Sequence, residues 1–497
     1  MRTVIAIIFA YFVNRRNKKW INKPIQSQNK TLKKLINSAS NTEFGQKHDF
    51  KNIYSHEQYQ KKVPVRDYEQ LKPYIEKALE GHKDILWPGK PLYFAKTSGT
   101  TSGAKYIPIT KESIKTHIKS ARDALLNYFV KTKNFTLLKG KQMFLQGSPE
   151  LEKKNGIYHG RLSGISAHYI PKLFLKNRKP SWKTNCIEDW EKKVDIIIQE
   201  TIGEKMTIIA GIPSWVQMYF EKIVSREGKT ISEVFPDLSL YVYGGVSYEP
   251  YRKIFDKLFG KQIDTLATFP ASEGFFGYQD QFGKGQTDLL LLLNNDIFYE
   301  FIKVEEFLKG NLARIFLKDV ELNVNYLLII STSAGLWSYN IGDTIKFTSL
   351  EPFRIIVTGR IKHFLSAFGE HVISEEVEKA MEAATKLHNV AIREFTVAPN
   401  INPKEMLPHH EWYVEFESLP KDMLAFSKAL DKEMTRLNIY YKDLIDGKIL
   451  KSLEVISVVR GGFNQYMKSE GRLGGQNKVP RLSNDRKIAD KLKTIST

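Results

Sequence analysis

The sequence predicts an α/β fold built on a mainly parallel sheet and extending over more than one domain. Two observations carry this. Apolar, β-prone runs alternate with helical stretches. Thr207-Ile208-Ile209-Ala210-Gly211-Ile212-Pro213 reads as a buried strand closing in a turn, Trp215 to Ile223 as a helix, and Leu240-Tyr241-Val242-Tyr243-Gly244-Gly245 as the next strand and turn. The length, 497 residues, exceeds one ordinary domain and can bury a large core. Gly244 and Gly245 fall at a strand's carboxyl end, where open α/β sheets bind ligands, and glycine lets the backbone approach a flat base.

Composition narrows the function classes. Hydrophobic content of 42% with 12% aromatics describes a globular protein, not a disordered one. The single cysteine, Cys186, excludes an internal disulfide and fits a reducing, cytoplasmic compartment. No cysteine–histidine cluster has zinc-ligand spacing. Lys and Arg number 75 against 55 Asp and Glu, a net charge of +20. The lysines are scattered and no zinc finger or RNA-recognition signature accompanies them, so no nucleic-acid partner is expected.

At the start of the chain, Thr3 to Val13 are almost wholly apolar, and Arg15, Arg16, Lys18 and Lys19 follow. A membrane span needs about 20 apolar residues, so this run is too short. A signal peptide carries its positive charges before the apolar run, the reverse of this order. A buried N-terminal helix is expected, with a weak membrane-surface helix as the alternative. Leu32 to Ala39 and Tyr68 to Leu79 read as helices, and Leu86-Trp87-Pro88-Gly89 as a turn.

The run Thr97-Ser98-Gly99-Thr100-Thr101-Ser102-Gly103-Ala104-Lys105 has too little apolar surface for a core element. Its glycines allow backbone angles that other residues resist. Its N–H groups, hydroxyls and ammonium are all donors, which suits a polyphosphate. The alternative is a flexible polar surface loop. Leu92-Tyr93-Phe94-Ala95 and Tyr106-Ile107-Pro108-Ile109 flank it as strands. It is not a Walker A loop: three residues separate Gly99 from Gly103, and Ala104 precedes the lysine.

Lys111 to Val130 reads as a long helix capped near Thr110, and Met143 to Ser148 as a strand and turn. Within the glycine- and serine-rich stretch Tyr158 to Ser166, Arg161 is a candidate for holding a carboxylate or a plain surface residue. Glu188 to Thr201 is an amphipathic helix. Ile263 to Thr268 then leads into Phe269-Pro270-Ala271-Ser272-Glu273-Gly274. Farther on stand Trp337-Ser338-Tyr339-Asn340-Ile341-Gly342-Asp343, then Ile355 to Lys362, and late in the chain Gly475-Gln476-Asn477-Lys478-Val479-Pro480-Arg481. Between the last two, Ser374-Glu375-Glu376-Val377-Glu378 opens a capped helix and Met423 to Leu437 forms another. Trp412 to Phe416 alternates as a strand, and Leu453 to Val459 is a further strand.

In this order, the motifs resemble those of the acyl acid amido synthetases, whose plant members conjugate auxin and jasmonate to amino acids. That family belongs to the adenylate-forming superfamily, with the acyl-CoA synthetases and firefly luciferase. The likeness spans about Leu71 to Arg481. It implies a large N-terminal domain, residues 1–358, with mixed and parallel sheets, and a small mobile α+β domain, residues 359–497, hinged near Arg360 and Lys362. It implies ATP and Mg2+, a small carboxylic acid and an amino acid as substrates, and a monomer. By resemblance, Thr97, Ser98, Gly99, Thr100, Thr101 and Lys105 hold phosphates. Gly244, Gly245 and Phe269 border the adenine, with Ser272 beside them. Glu273 is catalytic through the metal it holds, Asp343 takes the ribose hydroxyls and Arg360 lies near ribose and phosphate. Lys478 is the catalytic lysine.

Carboxylate oxygen suits a hard cation bridging phosphates, and a carboxylate accepts from two hydroxyls. Phe269 replaces the usual tyrosine, Ala271 a serine and Asn340 an arginine. Each motif also has a plain reading: Glu273 as a solvated turn residue, Gly342-Asp343 as a hairpin connection, Lys478 as an exposed basic tail. An acid–thiol ligase shares the nucleotide motifs. A membrane-peripheral binding protein is the reading from another class.

Overall fold

The computed structural model describes residues 2–97, 105–170, 175–245, 248, 251–283, 286–361, 370, 372–401, 403, 407–473, 478–483 and 485–496. They gather into two compact units. The first comprises Met1–Ile212, Val234–Gly245 and Ile263–Ile356, and the second Pro213–Glu233, Val246–Gln262 and Val357–Thr497.

Strands of the first unit, in chain order, are β1 (Tyr93–Thr97), β2 (Lys105–Ile109), β3 (Lys141–Phe144), β4 (Glu152–Lys154), β5 (Ile157–Gly160), β6 (Arg178–Lys179), β7 (Met206–Ala210) and β8 (Leu240–Gly244). Then come β9 (Asp264–Ala271), β10 (Gly274–Gln279), β11 (Leu289–Leu291), β12 (Ile297–Lys303), β13 (Asn325–Thr332), β14 (Tyr339–Leu350) and β15 (Phe353–Arg360), the last of which crosses into the second unit. A small sheet has the order β2-β1-β5-β4 and a large one β12-β13-β14-β15-β11-β10-β9-β8-β7-β3-β6.

The parallel expectation holds for part of the large sheet. β6, β3, β7, β8 and β9 pair in parallel. From β9 onward the sheet turns antiparallel through β10 and β11. Connection length is the reason. A helix intervenes between β7 and β8 and another between β8 and β9, whereas Ser272 and Glu273 alone join β9 to β10, and such a link admits only a hairpin.

Local chemistry sets the long helices. Asp67 and Gln70 form a capping box for Tyr68–Leu79. Thr110 caps Lys111–Thr132, with Ser113 answering from the first turn. The Thr110 hydroxyl also donates to the Ser333 carbonyl at 2.7 Å, tying this helix start to the turn before β14.

The N-terminal run is helical over Arg2–Ile21, but it is not buried all round. Ala10, Val13, Asn17 and Trp20 face inward, while Ile8, Phe9, Tyr11 and Phe12 are exposed. Asn14 Nδ2 donates to the Leu126 carbonyl at 3.3 Å, so the inner face rests on the 111–132 helix.

In the second unit, β16 (Ile392–Asn400), β17 (His409–Phe416) and β18 (Glu454–Val458) form one sheet in that order. The expected strand from Trp412 to Phe416 lies within β17, every residue of which is buried. Its polar side chains find partners inside. Glu411 accepts from Arg486 at 2.7 Å, and Glu415 from the backbone of Gly461 and Phe463. The 213–227 and 252–259 helices pack in this unit. Arg393 bonds Glu221 at 2.9 Å, and Lys253 donates to the carbonyls of Thr385 and Val390.

Back in the first unit, the start of β14 is pinned by a buried ion pair. Arg314 Nη1 lies 2.9 Å from Glu300 Oε2, and both side chains are almost fully buried. Arg314 also donates to the Gln60 and Val63 carbonyls and to Ser338, while Glu300 accepts from His56 and Gln60. We predict that Arg314→Met, which strands the Glu300 carboxylate, destabilises the first unit by about 3–5 kcal/mol. Urea unfolding followed by far-UV circular dichroism measures this, and a loss under 1 kcal/mol would contradict it.

Candidate active site

β1 and β2 form an antiparallel hairpin with Thr97 opposite Lys105. These two residues bracket positions 98–104. Ser98, Gly99, Thr100 and Thr101 lie outside the described residues, as does Lys362. Lys105 Nζ sits 5.2 Å over the Tyr68 ring, and the Tyr68 hydroxyl accepts from the Tyr106 N–H at 2.9 Å. An aromatic face under an ammonium holds it without neutralising it.

The parallel strands place further residues at one edge. β8 and β9 run together with Gly244 beside Thr268, so their carboxyl ends emerge on the same side. Gly244 has a packing reason independent of any ligand. A Cβ there would lie 2.7 Å from the Thr268 carbonyl oxygen. Gly245 has a φ of 83°, which disfavours other residues. Ser272 and Glu273 form the turn that carries the chain from β9 to β10. Gly274 follows because a Cβ would meet Ile297 Cδ1 at 2.5 Å. Phe269 is buried, edge-on to Phe276 at 5.0 Å between centroids.

Asp343 does not lie in a hairpin connection. It is a buried residue inside β14. The β13–β14 pairing slips here: Leu327 faces Thr344 but Ile329 faces Asn340, which makes Ile341 to Asp343 a bulge. Gly342 takes the left-handed backbone, φ 84°, and its N–H donates to Asn340 Oδ1 at 2.8 Å. Asn340, which stands in the arginine position of the resembling motif, therefore closes the bulge that aims Asp343.

Arg360 ends β15 and is exposed. Lys478 is also exposed, just before a tightly held segment. The Pro480 carbonyl accepts from Thr396 Oγ1 at 2.7 Å, and the Arg481 carbonyl accepts from the Val397 N–H at 2.9 Å. The Arg481 guanidinium is buried against Glu394 and Glu378, 4.5 Å over the Phe395 ring. Burial opposes its charge, yet Glu394, Tyr251 and Glu378 outweigh it and raise its pKa. Arg481 thus fastens the segment that follows Lys478 to β16.

The structure also assembles a cationic cluster that sequence reading mostly missed. β5 runs parallel to β1 with Gly160 beside Ala95, so Arg161 leaves the small sheet alongside the β1–β2 hairpin. Arg161 starts the short Leu162–Ala167 helix. Next to it, Lys193 is buried, and its ammonium donates only to the carbonyls of Asn185 and Gln146, at 2.7 and 3.0 Å. The Gln146 amide, oriented by its hydrogen bonds, accepts from Arg178 Nη2 at 2.6 Å and donates to the Ser163 carbonyl at 3.1 Å. Among the described residues, no carboxylate pairs with Arg161, Arg178 or Lys193.

Burial pushes the Lys193 ammonium down to about 8; Cys186 opposes the shift and Arg161 adds to it. Burial also lowers Arg161 and His159. Buried polar atoms nearby lack partners: His159 Nε2, Ser163 Oγ, Arg178 Nε and Asn185 Oδ1. Lys193 and Arg178 on neutral acceptors, with half-buried Arg161 beside them and Ser163 Oγ and Arg178 Nε left able to donate, make a site suited to an anion. Only Arg161 carried a signal in sequence; Lys193 sits on an amphipathic helix like any surface lysine.

The chain is similar to known proteins along most of its length. The GH3 family N-terminal domain matches residues 15–184, the central domain 290–360 and the C-terminal domain 375–487, together most of the chain. The chain belongs to the GH3 family. A GH3 relative, indole-3-acetic acid-amido synthetase GH3.4 of Arabidopsis thaliana, is 23% identical over 92% of this chain and 89% of its own length. The solved structure of the GH3.15 acyl acid amido synthetase with 2,4-DB superimposes with a TM-score of 0.82 at 17% identity, covering 98% of this chain and 96% of that one. A 2-hydroxyisobutyryl-CoA ligase, in its postadenylation state, gives a TM-score of 0.62 at 11% identity, with 94% and 91% covered. The GH3 fold is thus shared with adenylate-forming ligases.

Gly244 supplies a test of the shared edge. We predict that Gly244→Ala forces β8 from β9 and costs about 1–3 kcal/mol. A thermal-melt midpoint unchanged from the parent protein would contradict it.

Proposed function

We propose that this GH3 chain is an ATP-dependent acyl acid amido synthetase. The observation that carries the reading is the match of all three GH3 domains, in order, along one chain. A carboxylate oxygen attacks the α-phosphorus of ATP, the bond to the bridging oxygen breaks, and pyrophosphate leaves. The amine of an amino acid then attacks the acyl carbon, AMP departs, and the amine's proton goes to solvent. The compartment is cytoplasmic and the working form a monomer. No helix among the described residues is long and apolar enough to cross a membrane.

In this reading the hairpin of Thr97 and Lys105, with Ser98, Gly99, Thr100 and Thr101, holds the phosphates. Gly244, Gly245, Phe269 and Ser272 border the base, Asp343 takes the ribose, and Arg360 lies near ribose and phosphate. Glu273, a carboxylate in the turn at the shared strand edge, fits Mg2+, which would neutralise phosphate charge there. Arg161, Arg178 and Lys193 receive the acid's carboxylate before it reacts. Residues 359–497 move as a body and bring Lys478 to the reacting phosphate, where preorganised charge lowers the barrier. The second reading, an acid–thiol ligase, is favoured only by the fold shared with the CoA ligase.

The test is pyrophosphate release across a panel of carboxylic acids, with amino acids or CoA as acceptors and mass spectrometry of the products. An amide is expected. Acyl-CoA with no amide for any of the twenty amino acids would overturn the proposal. Lys478→Ala should slow adenylation about a hundredfold or more while ATP affinity barely changes, because a group acting on transition-state charge appears in the rate. Comparable losses in rate and in ATP affinity would place Lys478 elsewhere.

A pH prediction follows from Lys193. A bound carboxylate favours its charged form, so acid affinity is full below about pH 8 and is lost as pH rises through that value. The KM for the acid should rise up to about tenfold per pH unit there, with the KM for ATP flat. Lys193→Met should abolish the dependence. A parent enzyme whose KM for the acid is flat from pH 7 to 9.5 would exclude Lys193 from the acid site.

A further inference from the structure

The N-terminal helix presents two opposed stripes. Ala10, Val13, Asn17 and Trp20 recur at helical spacing and are buried. Ile8, Phe12, Arg15 and Lys19 recur at the same spacing on the other side and are exposed. The outer stripe changes character along its length. Its first two turns carry Ile8 (65% exposed) and Phe12 (63%), flanked by Tyr11 and Phe9. Its last two carry Arg15, Lys18 and Lys19. Arg122 from the neighbouring helix lies 5.3 Å over the Phe9 ring, adding a cation at the rim.

A helix on the outside of a globular protein is ordinarily polar along its whole outer stripe. Single exposed apolar residues need no explanation, but four adjacent large ones form a patch that marks an interaction surface. We propose that this helix docks the protein on an anionic lipid bilayer, with Ile8, Tyr11 and Phe12 among the acyl-chain ends of the headgroups and Arg15, Lys18 and Lys19 over the phosphates. Charge complementarity selects this occupant. An apolar end followed directly by exposed cations matches the layered profile of a bilayer surface, acyl chains below and anionic headgroups above. The overall charge of +20 draws the protein to such a surface. The buried stripe stays on the 111–132 helix throughout, so docking needs no refolding. The surface is independent of the ligase reading.

The experiment is flotation of the full-length protein with vesicles of phosphatidylcholine alone or with one quarter phosphatidylserine. Flotation with the anionic vesicles, weakened by added salt, is expected. Lys18→Gln with Lys19→Gln should lower binding about 25-fold, roughly fivefold per cation removed. Ile8→Ser with Phe12→Ser should lower it at least tenfold. Both variants should melt with the parent protein, since all four side chains are exposed. No flotation of the parent with anionic vesicles, or equal flotation of the Ser variant, would overturn the proposal. So would dimerisation in lipid-free buffer that the Ser variant abolishes, since the patch would then serve a second copy of the chain.

Discussion

The parallel pairing of β3, β7, β8 and β9 is the constraint from which the candidate site follows. Parallel neighbours share a direction, so each must be reached by a connection that returns the chain to the opposite edge. Every carboxyl end then opens at one edge, and the turns after β8 and β9 gather there whatever their distance in sequence. Gly244 is needed for this pairing, because only a residue without Cβ clears the Thr268 carbonyl beside it. The switch to antiparallel pairing at β10 places Ser272 and Glu273 in the turn where the two halves of the sheet meet.

Charge is handled in two ways inside the molecule, and the contrast is informative. Arg314 is buried with Glu300, Arg354 with Asp280 at 2.8 Å, and Arg481 with Glu394 and Glu378. The Arg354 and Arg481 pairs fasten elements that are far apart in sequence, and Arg314 does so through the Gln60 and Val63 carbonyls. Lys193, Arg178 and Arg161 break the pattern by resting on neutral acceptors or on none. Desolvating a cation without a counter-charge is costly, and that cost falls when an anion arrives. The cluster thus resembles a receptor more than a structural bridge, and it lies beside the β1–β2 hairpin through the pairing of β1 with β5.

Elements written in local chemistry were legible from the sequence. Tyr68–Leu79 and Met423–Leu437 have the bounds that their caps and apolar spacing predict, and Lys111–Thr132 starts at its Thr110 cap. A cap is a contact between residues three apart, so the chain carries both halves of it together. The turn at Ser272-Glu273 was visible for the same reason. The burial of His409–Phe416 was not, because alternation reports one covered face and cannot report a second cover of helices supplying Arg486 and the Gly461 backbone.

Sequence alone supplied the parts: α/β elements, a hydroxyl- and glycine-rich run flanked by strands, a carboxylate in a turn, a late lysine and an apolar N-terminal run too short to span a membrane. Tertiary structure decided how these are aimed. Asp343 is turned by a bulge that exists only because β13 and β14 pair out of step around it. The segment just after Lys478 is held because Arg481 is buried against side chains some hundred residues earlier. Two faces of the N-terminal helix differ because one of them found the 111–132 helix. Each is a contact between residues distant in the chain, and such contacts leave no local periodicity to read.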